Sequence, residues 1–178
     1  MSALTKKSHA HYLQYCQENE FDEADHQCMQ LALQLAKQGA SVGEVPVGAV
    51  IMMDGQVVGA GFNCPISTCD ATAHAEIVAI RQACQSINNY RLPPNSTLYV
   101  TLEPCTMCFG ALVHARVGRI VFGASEPKAG VIVSQLSLPS QPFYNHMIQV
   151  QGGLLQTECS ALLSDFFKKR RADKKQSG

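Results

Sequence analysis

A chain of 178 residues with 46% hydrophobic residues is long enough for one compact core and short for two ordinary domains. Its 14 lysines and arginines balance 14 acids, which excludes a uniformly basic protein, yet the charge is polarised: residues 166–178 hold six basic residues against Asp173, a net +5, leaving −5 on residues 1–165. No window approaches the roughly 18–20 consecutive apolar residues of a membrane span, and no signal-peptide block opens the chain, so it reads as cytoplasmic with no membrane partner and its eight cysteines as reduced.

Residues 1–22 are polar without a clean period and read as an extension, residues 23–172 as the domain, and residues 173–178 as a basic polar tail. "ADHQCMQLALQLAKQG" places Met29, Ala32, Leu33 and Ala36 at helical spacing, with Gly39 expected to end the helix. An apolar run from Val45, an Asp54-Gly55 turn and a second run through Val57 and Val58 predict a β-hairpin. Residues 64–71 read as a loop, and Thr72 as the cap of a helix whose Ile77, Ile80 and Cys84 share a face. "NSTLYVTLE" predicts a buried strand, Pro104 and Cys105 open a helix to about His114, and "RIVFGA" predicts a further strand. A last strand around 147–150 and a helix from about Glu158 complete the chain, so strands alternating with helices imply an α/β/α layering with parallel strands.

Two of these helix starts carry metal-ligand residue types, "TAHAE" at 72–76 and "EPCTMC" at 103–108. Unpaired N–H groups and the positive end of the helix dipole at such a start favour thiolates. Cys105 and Cys108 with His74 make three protein ligands, the number that leaves a tetrahedral zinc one open position for water. At a helix tip Glu76 can reach that water and act as a proton shuttle. Cys-x-x-Cys alone also serves a redox pair or half of a structural zinc site, with Cys64, Cys69 or Cys84 as a conceivable fourth ligand.

His-Ala-Glu paired with Pro-Cys-x-x-Cys resembles the signature of zinc deaminases of nucleobases. The longer set "EVPVGAV", "FNCPI", "DATAHAEIVAIRQA", "NYRLPPNSTLYVTLEPCTMCFGALVHARVGRIVFGA", "NHMIQVQGG" and "LLSDFFKKRR" resembles the bacterial tRNA-specific adenosine deaminases, which convert a wobble adenosine to inosine. That resemblance implies a cytidine-deaminase-like three-layer α/β/α sandwich around a mixed five-stranded sheet, one Zn2+ per subunit, and a homodimer acting on the ACG-anticodon arginine tRNA. It implies that His74, Cys105 and Cys108 bind zinc and that Glu76 is catalytic. Asn63 and the backbone around Ala75 would contact the flipped adenine in a pocket shaped by Val47 and Leu102. Lys128, Asn145, His146, Phe167, Lys168, Arg170 and Arg171 would contact RNA. Departures from the resemblance are Cys64, Glu126 and the bulky "GVIVSQ" at 130–135, which would either narrow the RNA groove or repack beneath it. A free guanine or cytosine deaminase and a noncatalytic zinc-dependent RNA-binding module are the rival readings.

Overall fold

The computed structural model describes residues 20–176. The extension expected at residues 1–22 falls almost entirely outside them, as do the last two residues of the expected tail. The elements are α1 (Glu23–Ser41), β1 (Gly48–Met53), β2 (Gln56–Phe62), α2 (Pro65–Thr68), α3 (Ala75–Ser86), β3 (Thr97–Leu102), α4 (Thr106–Ala115), β4 (Arg119–Ala124), β5 (Gln149–Gly152) and α5 (Gln156–Gln176), with a 3-10 turn at Leu138–Ser140.

The strands form one mixed sheet in the order β2-β1-β3-β4-β5. β1 is antiparallel to β2 and β3, whereas β3, β4 and β5 run parallel. The central strands are apolar at nearly every position because both faces are covered. Ala49, Ile51, Leu98, Val100, Ile120 and Phe122 face one core, which holds Ile77, Ile80, Phe109 and Leu112 from α3 and α4. Val50, Tyr99 and Val121 alternate to the other, with Met29 and Leu33 of α1 and Cys159 of α5. The three-layer α/β/α sandwich and its mixed five-stranded sheet are therefore present as expected.

Several boundaries differ from the sequence expectation. Asp22 opens α1 with a reciprocal capping box to Asp25. Gly39 does not end that helix, which continues to Ser41 and closes before Gly43 at φ +86°; Gly39 instead lies against the Phe62 ring, where a Cβ would crowd it. Thr72 is not the cap of α3. Its N–H and hydroxyl both donate to Asp70 Oδ1, at 2.8 and 2.7 Å, so the cap position passes to His74. Cys105, not a prolyl first turn, caps α4. β5 begins two residues later than expected, leaving Met147 exposed outside it, and α5 starts at Gln156 and runs without a break through residues expected to be tail. The expected 64–71 loop contains the single turn α2, held by the buried carboxylate of Glu44 through the N–H groups of Ser67 (2.7 Å) and Ile66 (3.4 Å).

Candidate metal and deaminase site

β3 ends at Leu102 and α4 begins at Thr106, so the turn between them delivers Cys105 to the carboxyl end of a parallel strand, as the α3 start delivers His74. Cys105 and Cys108 occupy the N-cap and N3 positions of α4, the two positions that meet in any capped helix. His74 has extended backbone angles, φ −72° and ψ 154°, which turn its side chain off the helix axis and leave Glu76 in the first turn.

His74 Nδ1 lies 3.8 Å from Cys105 Sγ and 3.5 Å from Cys108 Sγ, and the three ligand atoms all fall within 4.8 Å of one another. A tetrahedral zinc with Zn–S of about 2.3 Å and Zn–N of about 2.0–2.1 Å requires edges of about 3.5–3.8 Å, so the donor set fits that ion in type and in spacing. Hydrogen bonding from Cys108 brings the Cys105 thiol down to about 4, and the same hydrogen bond pushes Cys108 up. Hydrogen bonding to Cys105 raises His74, and burial raises Glu76 above the ordinary carboxylate range. Glu76 is 4% exposed and in hydrogen-bond contact with Cys108, so it stands beside the cluster without completing a fourth ligand position. Such an arrangement can activate water next to a carboxylate able to hold its proton.

Asn63 is buried at the end of β2, and its Oδ1 accepts the Ala75 N–H at 2.8 Å. The two residues expected to contact adenine are thus tied to each other one residue from His74. Val47 is buried in the same core as Ala75, and Leu102 is half-buried between the two cores. Lys128 is exposed on a cleft of about 370 Å³ that it shares with Cys105, Thr106, Met107, Val131 and Leu136. Asn145 and His146 are not brought to the cluster. The Asn145 carbonyl accepts from Arg116 at 2.9 Å and the His146 ring donates to the Val117 carbonyl at 2.7 Å, both at the amino end of the parallel strands. Phe167, Lys168, Arg170 and Arg171 lie exposed on the far half of α5.

Of the bulky "GVIVSQ" segment, Val131 and Ile132 are buried and Val133 packs against the same core, so the segment repacks beneath the loop, with Val131 also forming part of the cleft floor. Glu103, absent from the sequence expectations, is buried one residue before Pro104 and organises that loop. Its signal was a carboxylate set directly after a largely buried strand.

The family model of MafB19-like deaminases matches residues 23–171. The tRNA-specific adenosine deaminase of Haemophilus influenzae is 51% identical over 158 residues, covering 88% of this chain and 89% of that protein. A solved structure from work on A-to-I editing by tRNA:A34 deaminases at the wobble position superposes with a TM-score of 0.75 at 43% identity, covering 77% of this chain and 99% of the other. A guanine deaminase from Nitrosomonas europaea shares the fold at a TM-score of 0.68 and 25% identity, over 93% of this chain and 97% of its own. With the His-Cys-Cys cluster and its adjacent carboxylate on the same scaffold, the chain belongs to the family of tRNA-specific adenosine deaminases.

Proposed function

We propose that this protein hydrolytically deaminates the wobble adenosine (position 34) of the ACG-anticodon arginine tRNA to inosine, in the cytoplasm, as a zinc-loaded homodimer. The observation that carries the reading is the tripod of His74, Cys105 and Cys108 with the buried Glu76 at its side, in a chain half identical to a tRNA-specific adenosine deaminase.

His74, Cys105 and Cys108 would hold the zinc, one ion per subunit. When bound, zinc supplies the Lewis acidity that makes water nucleophilic near neutral pH. Glu76 takes a proton from the attacking water, delivers it to the purine ring nitrogen next to C6, and returns a proton to the departing ammonia. Burial favours its proton-holding form, which suits a carboxyl that must carry a proton between two atoms. The Asn63–Ala75 pair orients the flipped base, and Val47 and Leu102 limit the pocket. Lys128 and the basic end of α5 supply phosphate contacts. Asn145 and His146 stand at the other end of the sheet from their own chain's cluster. A homodimer, in which one subunit's RNA contacts serve the other's site, accommodates that placement.

Sequencing an arginine tRNA after incubation with the zinc-loaded protein tests the reading, because inosine is copied as guanosine. Conversion at position 34 alone is expected. Ammonia release from free guanine or cytosine with no change in the tRNA would contradict it.

A further inference from the structure

Glu103 is 3% exposed, and its carboxylate accepts five hydrogen bonds, all from one loop. Oε1 takes the backbone N–H groups of Ile132, Val133 and Ser134 at 2.9, 2.8 and 3.0 Å. Oε2 takes the Glu126 N–H at 2.9 Å and the Ser134 hydroxyl. Among the described residues the ion pairs are Arg81–Asp70 and Arg119–Asp25, so the loop's own donors, and no cation, compensate this buried anion. A Cβ at Gly130 would collide with the carboxylate, which makes the glycine part of the same cradle.

The loop is also fastened to the metal helix. Gly130 forms an antiparallel bridge with Cys105, and the Val131 N–H donates to the Pro104 carbonyl at 3.1 Å. Its outer surface, with Lys128, Ala129, Gln135 and Leu136, is one wall of the cleft whose other wall is Cys105, Thr106 and Met107. One carboxylate thus sets where that wall stands relative to the cluster.

We propose that Glu103 is a positioning residue that fixes the 126–134 loop as the RNA-binding rim of the deaminase site. It acts on substrate binding through the loop and leaves the chemistry to His74, Cys105, Cys108 and Glu76. This role rests on the tRNA deaminase reading above. Glu103→Gln keeps the shape but turns a donor toward the Glu126 N–H. Shortening the side chain in Glu103→Asp withdraws the acceptor from one end of the loop.

In the zinc-loaded protein with an anticodon stem-loop as substrate, Glu103→Gln is expected to raise KM about tenfold while kcat falls less than about threefold and zinc content is unchanged. Ser134→Ala, which removes one of the bonds, shows the same split at smaller amplitude. Hydrogen exchange supplies a readout that needs no substrate: the amides of Ile132, Val133 and Ser134 lose protection in Glu103→Gln while those of α4 keep it. If the wild type proves inactive on the stem-loop, the tRNA reading fails and the exchange result alone judges the loop-fixing role. Unchanged loop protection, or a Ser134→Ala variant that loses zinc and kcat together with KM intact, overturns the proposal.

Discussion

Glu76 is buried beside His74, Cys105 and Cys108 but lies outside the group of three that could hold a metal. Glu76→Gln preserves volume and removes the proton shuttle of the proposed mechanism, so turnover should fall about 10²–10⁴-fold with zinc content unchanged, measured by ammonia release and metal analysis. Loss of zinc in the same variant would show that the carboxylate holds the metal. Cys105→Ala, by contrast, is expected to lose both. The grouping of His74, Cys105 and Cys108 was legible in the sequence because these residues stand at two helix starts. Glu103 was not, because its partners are backbone amides 23 to 31 positions away whose direction only the folded loop fixes. Asp25 was equally hidden. It accepts from Arg119 at 2.7 and 2.9 Å and from the Tyr99 hydroxyl at 2.7 Å, tying α1 to β4 and β3 on the face away from the site. Burial pushes its carboxyl up, but the Arg119 and Tyr99 hydrogen bonds and the Arg119 charge outweigh that and hold it below the usual range. A depressed folded value means that the pair stabilises fully above the unfolded carboxylate's pKa of about 3.9 and ceases to as pH falls through the lower folded value. Asp25→Asn should therefore cost about 3 kcal/mol near neutral pH, and the gap from wild type should close in acid melts below about pH 4.

At the level of elements, the position of α3 decides whether His74 and Glu76 meet the cysteines. α3 lies across β2, where a Cβ on Gly59 would strike the Ala79 carbonyl and one on Gly61 would strike Val78. The register of β1 and β2 shifts between Ile51 and Met52, leaving Val58 as a bulge residue on the sheet edge. The same helix covers that edge: Ser86 donates to the Val58 carbonyl at 3.0 Å and Gln82 accepts the Ala60 N–H at 2.7 Å. Gly59→Ala is therefore expected to lift α3 from the sheet, lowering stability by about 1–3 kcal/mol and weakening zinc retention together, followed by thermal melts and metal competition. Melting that drops while zinc affinity stays at the wild-type level would separate the helix position from the cluster. The hairpin itself was readable, since Asp54 and Gly55 both take positive φ, 49° and 74°, as a two-residue primed turn demands. The bulge and the helix ends were not, because a cap is decided by which side chain is already engaged: Asp70 captures Thr72 before it can reach the helix.

Over the whole molecule the charges are sorted, with −5 on residues 1–165 and +5 on residues 166–178. α5 places the basic share on a helix whose buried residue is Cys159, near its start, so the Lys168–Arg171 cluster stands clear of the core. No helix among the described residues is long and apolar enough to cross a membrane, and Lys168–Arg171 are exposed. A cationic helix end held away from an otherwise acidic body acts on a polyanion through released counterions, with a slope of log K against log salt that counts the phosphates neutralised. Replacing Arg170 and Arg171 by alanine should weaken binding of the anticodon stem-loop and reduce that slope by about 1 to 2. Zinc content and kcat at saturating RNA should hold, since neither residue lies near the cluster. Binding titrations from low to moderate salt decide it: a weaker affinity with an unchanged slope would mean that the arginines act by packing, and loss of zinc would mean that α5 supports the site through the sheet beneath it.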